Sequence, residues 1–146
     1  MDEQSIRLYA ISPAILNKRK SYYDILEQTQ NNDSNITNWL VWFLDTLNDS
    51  LETTLKQINR TLFKSQFWHK FSNLDLYEGQ RKVLNRLLDG GENGFEHGIS
   101  ASQYQKVAKV SKATATRHLS NLLEKDCIIK LEGSGRNTRY QITTQL

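Results

Sequence analysis

Hydrophobic positions fall into blocks of helical spacing separated by polar breaks. From Ala14 to about Gln30, Ile15, Leu16, Tyr22, Tyr23, Ile25 and Leu26 recur at helix-compatible intervals. Ser12-Pro13 ahead of them predicts an N-cap followed by proline at the first helical position, where its missing N–H costs nothing. The polar cluster Asn31–Asn35 predicts a break, and Thr37 is placed to cap the second helix. That second block is the longest: Leu40, Leu44, Leu47, Leu51, Leu55, Ile58 and Leu62 form one apolar stripe. No Pro or Gly interrupts Asn38–Ser72, which predicts a rod of ~50 Å at ~1.5 Å per residue. Trp39, Val41, Trp42 and Phe43 make its start apolar nearly all round, and Phe63, Phe67, Trp68 and Phe71 thicken its end. One short partner helix cannot cover that surface, so a second chain, the chain's own second domain or a further domain is expected against it.

The pattern then changes. Leu76, Val83, Leu84, Leu87 and Leu88 predict a helix over Tyr77–Asp89, stopped by Gly90-Gly91. After a loop over 92–98, Ile99 is expected as a strand of one or two residues. Ser100 is expected to cap a helix over Ala101–Lys109 that turns Tyr104, Val107 and Ala108 inward. The stripe ends near Phe71–Asp75, which divides the chain into a helical arm, 1–72, and a second domain, 73–146.

The most informative stretch is Ser111–Ile129. Ser111 sits as an N-cap, and at about 100° per residue Ala115, Leu119, Leu122 and Leu123 share one side. Lys112, Ala113, Thr114, Thr116 and Arg117 face away, with His118 at the boundary. Asp126 stands where a left-handed helix end is required, a conformation that Asp tolerates better than most residues. Cys127–Leu131 and Thr138–Ile142 predict two strands joined by the glycine-containing turn Glu132–Asn137. Helix, turn, helix, strand, turn and strand in this order predict a winged helix-turn-helix. The fold class is therefore mainly α with a small antiparallel β wing. Ser111, Lys112, Thr114, Thr116 and Arg117 are the expected recognition face, with Arg136, Asn137 and Arg139 on the wing. Arg117 has the fork geometry for guanine or phosphate.

Charge agrees with that placement. Residues 1–72 hold eight basic and eight acidic residues, whereas 73–146 hold eleven and eight, so the whole +3 lies in the second half. Between Tyr104 and Arg139 eight basic residues face three acidic ones, a modest electrostatic footprint for double-stranded DNA. Hydrophobic residues at 38% and charged residues at 24% are those of a soluble globular chain, and no apolar run reaches the ~18 residues of a membrane span. Met1-Asp2-Glu3-Gln4 has no secretory-signal character, and the single Cys127 excludes an internal disulfide; both point to the cytoplasm.

Catalytic and metal-binding constellations are missing. His69, His97 and His118 lack ligand spacing with one another or with Cys127. Gly90–Gly94 does not open a helix after a strand, so it reads as loop rather than phosphate cradle. Asp45, Asp49 and Glu52 read as a solvated helix flank. No cofactor or metal is expected, and the chain by itself is not expected to be an enzyme.

Leu8–Ser12, Tyr22–Gln30, Ile36–Leu40, Trp42–Leu44, Phe67-Trp68 and Gln80–Gly90 resemble the C-terminal third of bacterial Fic (filamentation induced by cAMP) proteins. The resemblance implies a segment downstream of a protein adenylyltransferase core. That core's His-Pro-Phe-x-Asp/Glu-Gly-Asn-Gly-Arg loop is absent here, so no catalytic residue carries over. It also implies that Trp39, Trp42, Phe43 and the Leu40–Leu62 stripe pack on a Fic core; the uncovered stripe by itself equally suits a second copy, in a dimer. The residues themselves point to a DNA-binding regulatory module. A winged helix that binds protein, recruiting a target for the transferase domain, has the same core pattern and is the alternative.

Overall fold

The computed structural model describes residues 11–31, 35–90, 95, 97–131 and 138–144. The chain forms two compact units, Met1–Asn59 and Arg60–Leu146. The division lies inside a helix, upstream of the 72/73 break read from the stripe.

The first unit contains α1 (Ile11–Asn17), α2 (Arg19–Asn31) and the beginning of α3 (Thr37–Lys70). Where one helix was expected over 14–30 there are two, parted at Lys18. The Lys18 N–H lies within bonding distance of both the Ala14 carbonyl (3.2 Å) and the Ile15 carbonyl (3.0 Å), so the chain tightens for one residue. Ser12 is not a cap: α1 starts at Ile11, which leaves Pro13 inside the first turn, where a free N–H has no partner to lose. Thr37 is likewise not the cap of α3 but its first residue. Asn35 Oδ1 accepts the Thr37 N–H at 3.0 Å, because an Asn side chain reaches the backbone two residues on.

The face of α3 that carries the leucines is not the face engaged within this unit. The Trp42 indole N–H donates to Ser21 Oγ at 3.1 Å, the Tyr22 and Trp42 rings lie 5.5 Å apart, and Lys18 pairs with Asp49. Thr46 and Ser50 are buried on that side. Leu51 lies about 180° around the helix from Trp42. Leu40, Leu44, Leu51, Leu55 and Leu62 are accordingly exposed.

The second unit holds the end of α3, α4 (Glu78–Asp89), β1 (Ile99–Ser100), α5 (Ala101–Ala108), α6 (Lys112–Glu124), β2 (Ile128–Lys130) and β3 (Arg139–Ile142). The strands form one antiparallel sheet in the order β1-β3-β2, with Ile99 opposite Tyr140 and Ile128 opposite Ile142. This is a winged helix-turn-helix. All fully buried hydrophobic side chains among the described residues belong to it, from Phe67 and Phe71 of α3 through Leu84, Ile99, Tyr104 and Leu122 to Ile142. Phe67 and Phe71 pack with centroids 4.6 Å apart, and the Trp68 N–H donates to Asn85 Oδ1 at 3.1 Å. The last turns of the rod are thus core of the second unit.

Local chemistry sets the element ends. Ser100 Oγ accepts the Gln103 N–H (3.3 Å) while Gln103 Oε1 accepts the Ser100 N–H (2.9 Å), a reciprocal cap. Lys109 closes α5 in the left-handed region (φ 54°) and directs the chain through Val110 into α6. At the far end of α6, Asp126 also takes a left-handed φ of 53°, as its sequence position implied. The Cys127 N–H then reaches the Leu122 carbonyl (3.0 Å) and the Asp126 N–H the Leu123 carbonyl (3.0 Å), which satisfies the last turn.

Candidate nucleic-acid interface

The site rests on how firmly α6 is held from behind. Ser111 Oγ accepts the Thr114 N–H at 3.2 Å and fixes the first turn. Ala115, Leu119 and Leu122 are buried and Leu123 is half-buried, as their spacing predicted. His118 departs from expectation. It is buried rather than at a boundary, with Nδ1 3.1 Å from the Tyr104 hydroxyl and its ring stacked on Tyr77 at 5.0 Å and 8°. Two flanking aromatics supply a slot that a helical wheel cannot reveal. Gln80, fully buried on α4, completes the bracing: its Nε2 donates to the His118 carbonyl (3.2 Å) and to Asn121 Oδ1 (3.0 Å). Its Oε1 accepts the Tyr77 N–H at 3.0 Å. Sequence reading missed this residue, because a polar side chain inside an apolar helix block gives no sign that its partners lie on another helix.

Burial, then the Arg117 charge, lowers the affinity of His118 for a proton below its ordinary value of 6.5. Burial also raises the Tyr104 hydroxyl well above the usual phenol range. Near neutral pH the Tyr104 hydroxyl and the His118 imidazole are therefore both uncharged, and they share one hydrogen bond. The folded unit binds fewer protons at His118 than the unfolded chain does, so its stability falls as pH drops through 6.5. Urea midpoints at pH 7.5 and 5.5 are expected to differ more for the natural chain than for His118→Gln. Equal differences would show that His118 is not the group responsible.

Lys112, Ala113, Thr116 and Arg117 are exposed on the opposite side of the same turns, and Thr114 is half-buried. Both threonine hydroxyls are engaged locally: Thr116 Oγ1 donates to the Lys112 carbonyl at 3.1 Å, and Thr114 Oγ1 lies 3.0 Å from Ser111 Oγ. Lys112 and Arg117 carry the positive charge of this face. On the wing, Arg136 and Asn137 lie outside the described residues. Arg139, expected as a backbone contact, donates through Nη1 to the Gly98 carbonyl at 3.0 Å. One arm of its guanidinium therefore braces the sheet edge.

Further cations escaped the sequence reading. Lys82 and Arg86 of α4, with Lys106 and Lys109, line a cleft of about 330 Å³ beside Asn85, Val107 and Asp89. Asp89, its one acidic member, is engaged by Lys64 at 2.5 Å. The signal available was the i,i+4 spacing of Lys82 and Arg86 on the polar side of α4. Cys127 offers no chemistry: it is fully buried, and burial pushes its thiol up to about 11. Among the described residues no group of three His, Cys, Asp or Glu side chains forms a metal site. No helix among them is long and apolar enough to cross a membrane.

The chain matches no protein-family model. No curated protein sequence matches it either.

Proposed function

We propose that the winged helix is a double-stranded-DNA-binding regulatory module, belonging to the C-terminal part of a Fic-type protein. One observation carries the reading. The first two turns of α6 hold Lys112, Ala113, Thr116 and Arg117 out to solvent, while Ala115, His118 and Leu119 anchor the same turns in the core. A rigid helix with a small, polar, cationic outer face has the form that fits a major groove. Arg117 is the residue for a guanine edge or a phosphate, and Lys112 a phosphate contact at the helix start. The wing residues Arg136 and Asn137 add contacts to the flanking backbone. Charge supports this: eight basic against three acidic residues between Tyr104 and Arg139 favour a polyanion.

The test is fluorescence anisotropy of the full chain with a duplex pool, followed by selection of bound sequences. Binding is expected to weaken linearly in log salt, with a slope of about −0.9 per phosphate neutralised. Arg117→Ala should cost about 1–3 kcal/mol, roughly 5- to 150-fold, and relax the sequence preference. Arg136→Ala should weaken all sequences alike and flatten the salt slope. Undetectable binding at ~50 mM salt would overturn the proposal. It would leave recruitment of a protein target to an adenylyltransferase domain as the function to pursue.

A further inference from the structure

Lys82 and Arg86 of α4 and Lys106 and Lys109 at the end of α5 share one cleft of about 330 Å³, and the recognition face uses none of them. The two helices meet closely because Gly79 has no side chain: a Cβ there would stand 3.2 Å from Ala108 Cβ. All four cations are exposed, and none has a carboxylate partner among the described residues. Asp89, the one acid on the lining, is engaged by Lys64, so that pair adds no net charge. Like charges a helical turn apart, such as Lys82 and Arg86, repel. The cleft therefore gathers positive charge that the described residues leave uncompensated.

The neutral polar group in the cleft is a donor as well. An indole N–H can only donate, and that of Trp68 donates to Asn85 Oδ1 at 3.1 Å. This bond settles which end of the amide is oxygen and leaves the Asn85 NH2 without an acceptor among the described residues. Val107 is the one apolar side chain on the lining. Asp89 apart, the lining thus offers only donors, four of them charged. A complementary ligand accepts hydrogen bonds and carries several negative charges. A carboxylate brings one charge and two oxygens, whereas a phosphoryl group brings about −1.5 to −2 and three acceptor oxygens. Two neighbouring phosphoryl groups, about −3 to −4 together, match four cations.

Helical phase turns the cleft away from the recognition helix. Gln80 is the α4 residue that bonds to α6, and at about 100° per residue Lys82, Asn85, Arg86 and Asp89 lie about 120–180° around α4 from it. On α5, Tyr104 reaches His118 of α6, and Lys106 lies about 160° around from Tyr104. A duplex seated on Lys112 and Arg117 approaches the outer face of α6 and not this cleft. We propose that the α4–α5 cleft binds a small ligand carrying two linked phosphoryl groups, of the pyrophosphate or nucleoside-diphosphate class. Its volume is at the lower end for small-molecule sites, and walls of one sign of charge concentrate such an anion. Arg86 supplies a planar fork for two phosphoryl oxygens, the three lysines act as point charges, and the Asn85 NH2 adds a neutral donor. The site is independent of the DNA reading and stands whether or not α6 binds a duplex.

The test is a titration of the 15N-labelled full chain with inorganic pyrophosphate, followed residue by residue in 1H–15N spectra. Saturable shifts are expected at the Asn85 side-chain NH2, the Trp68 indole N–H and the amides of Lys82, Arg86, Lys106 and Lys109, with a Kd below ~1 mM. Lys82→Ala combined with Lys106→Ala should weaken binding at least about tenfold, since two charge-assisted contacts go. Both residues are exposed, so the spectrum should otherwise keep its dispersion. Asn85→Asp retains the oxygen that Trp68 bonds but replaces the donor by a negative charge, and should abolish binding. Lys130→Ala, which removes an exposed charge on β2, should change the affinity less than twofold. A short DNA duplex in place of pyrophosphate should leave the cleft resonances where they are. Shifts that do not saturate, equal losses from Lys130→Ala and the double variant, or cleft resonances that answer to duplex and not to pyrophosphate would each overturn the proposal.

Discussion

Phe67→Ala is expected to destabilise the Arg60–Leu146 unit by about 3–5 kcal/mol, the range for removing a buried aromatic side chain. Phe67 is completely buried, lies 4.6 Å from the Phe71 ring and meets Trp68 edge-on at 5.4 Å. Its removal leaves a void between the end of α3 and the winged helix, lined by residues that cannot all move in to fill it. In urea, followed by circular dichroism on the full chain, the midpoint should fall by roughly 2 M for a slope near ~2 kcal/mol/M. Leu55→Ala, a truncation of the same general kind on the 58%-exposed stripe, should change this unit's stability by less than about 0.5 kcal/mol. Comparable losses from both would mean that the rod's last turns are not core.

Gly98→Ala should destabilise the same unit by at least about 2 kcal/mol, from two separate causes. Gly98 has φ +74°, a region that side chains with a Cβ rarely occupy. A Cβ there would also stand 2.7 Å from the Tyr140 carbonyl oxygen and 3.3 Å from Leu131 Cδ1. The nearest obstacle is backbone, so a rotamer change cannot relieve it. Either β1 lifts from β3, breaking the pairing of Ile99 with Tyr140, or the Gly98 carbonyl turns away from Arg139. Amide exchange at Ile99 and Tyr140 separates these results from a global loss. Unchanged protection and an unchanged urea midpoint would refute the close approach.

The second unit was largely legible because its signals are local. Ser100 and Ser111 cap the helices they were expected to cap, and Asp126 adopts the left-handed bend its position required. Ile99 forms the short strand, and the Ala115, Leu119 and Leu122 face is buried. The outward placement of Lys112, Ala113, Thr116 and Arg117 on α6 could be read for the same reason: helical phase alone decides which side they occupy. What escaped depends on partners distant in sequence. Gln80 and His118 are buried polar groups made tolerable by Asn121, Tyr104 and Tyr77, none of which a helical wheel supplies. Arg139 was expected to reach outward, yet it serves the Gly98 carbonyl forty-one residues earlier. The leucine stripe shows the converse. Periodicity located the apolar face of α3, but the side bearing Trp42, Thr46 and Ser50 engages within the unit, through a hydrogen bond and a ring contact at Trp42 and burial of Thr46 and Ser50. Hydrophobic phase reports which side of a helix seeks cover, and the neighbours decide which side receives it.

Cys127, the chain's single cysteine, lies sealed beside the start of β2. Its inertness makes it a clock: an alkylating reagent can reach the sulfur only while the hairpin base stands open. The labelling rate therefore times that opening at one defined point, without any added probe, and applies equally to chains altered at Gly98 or Phe67.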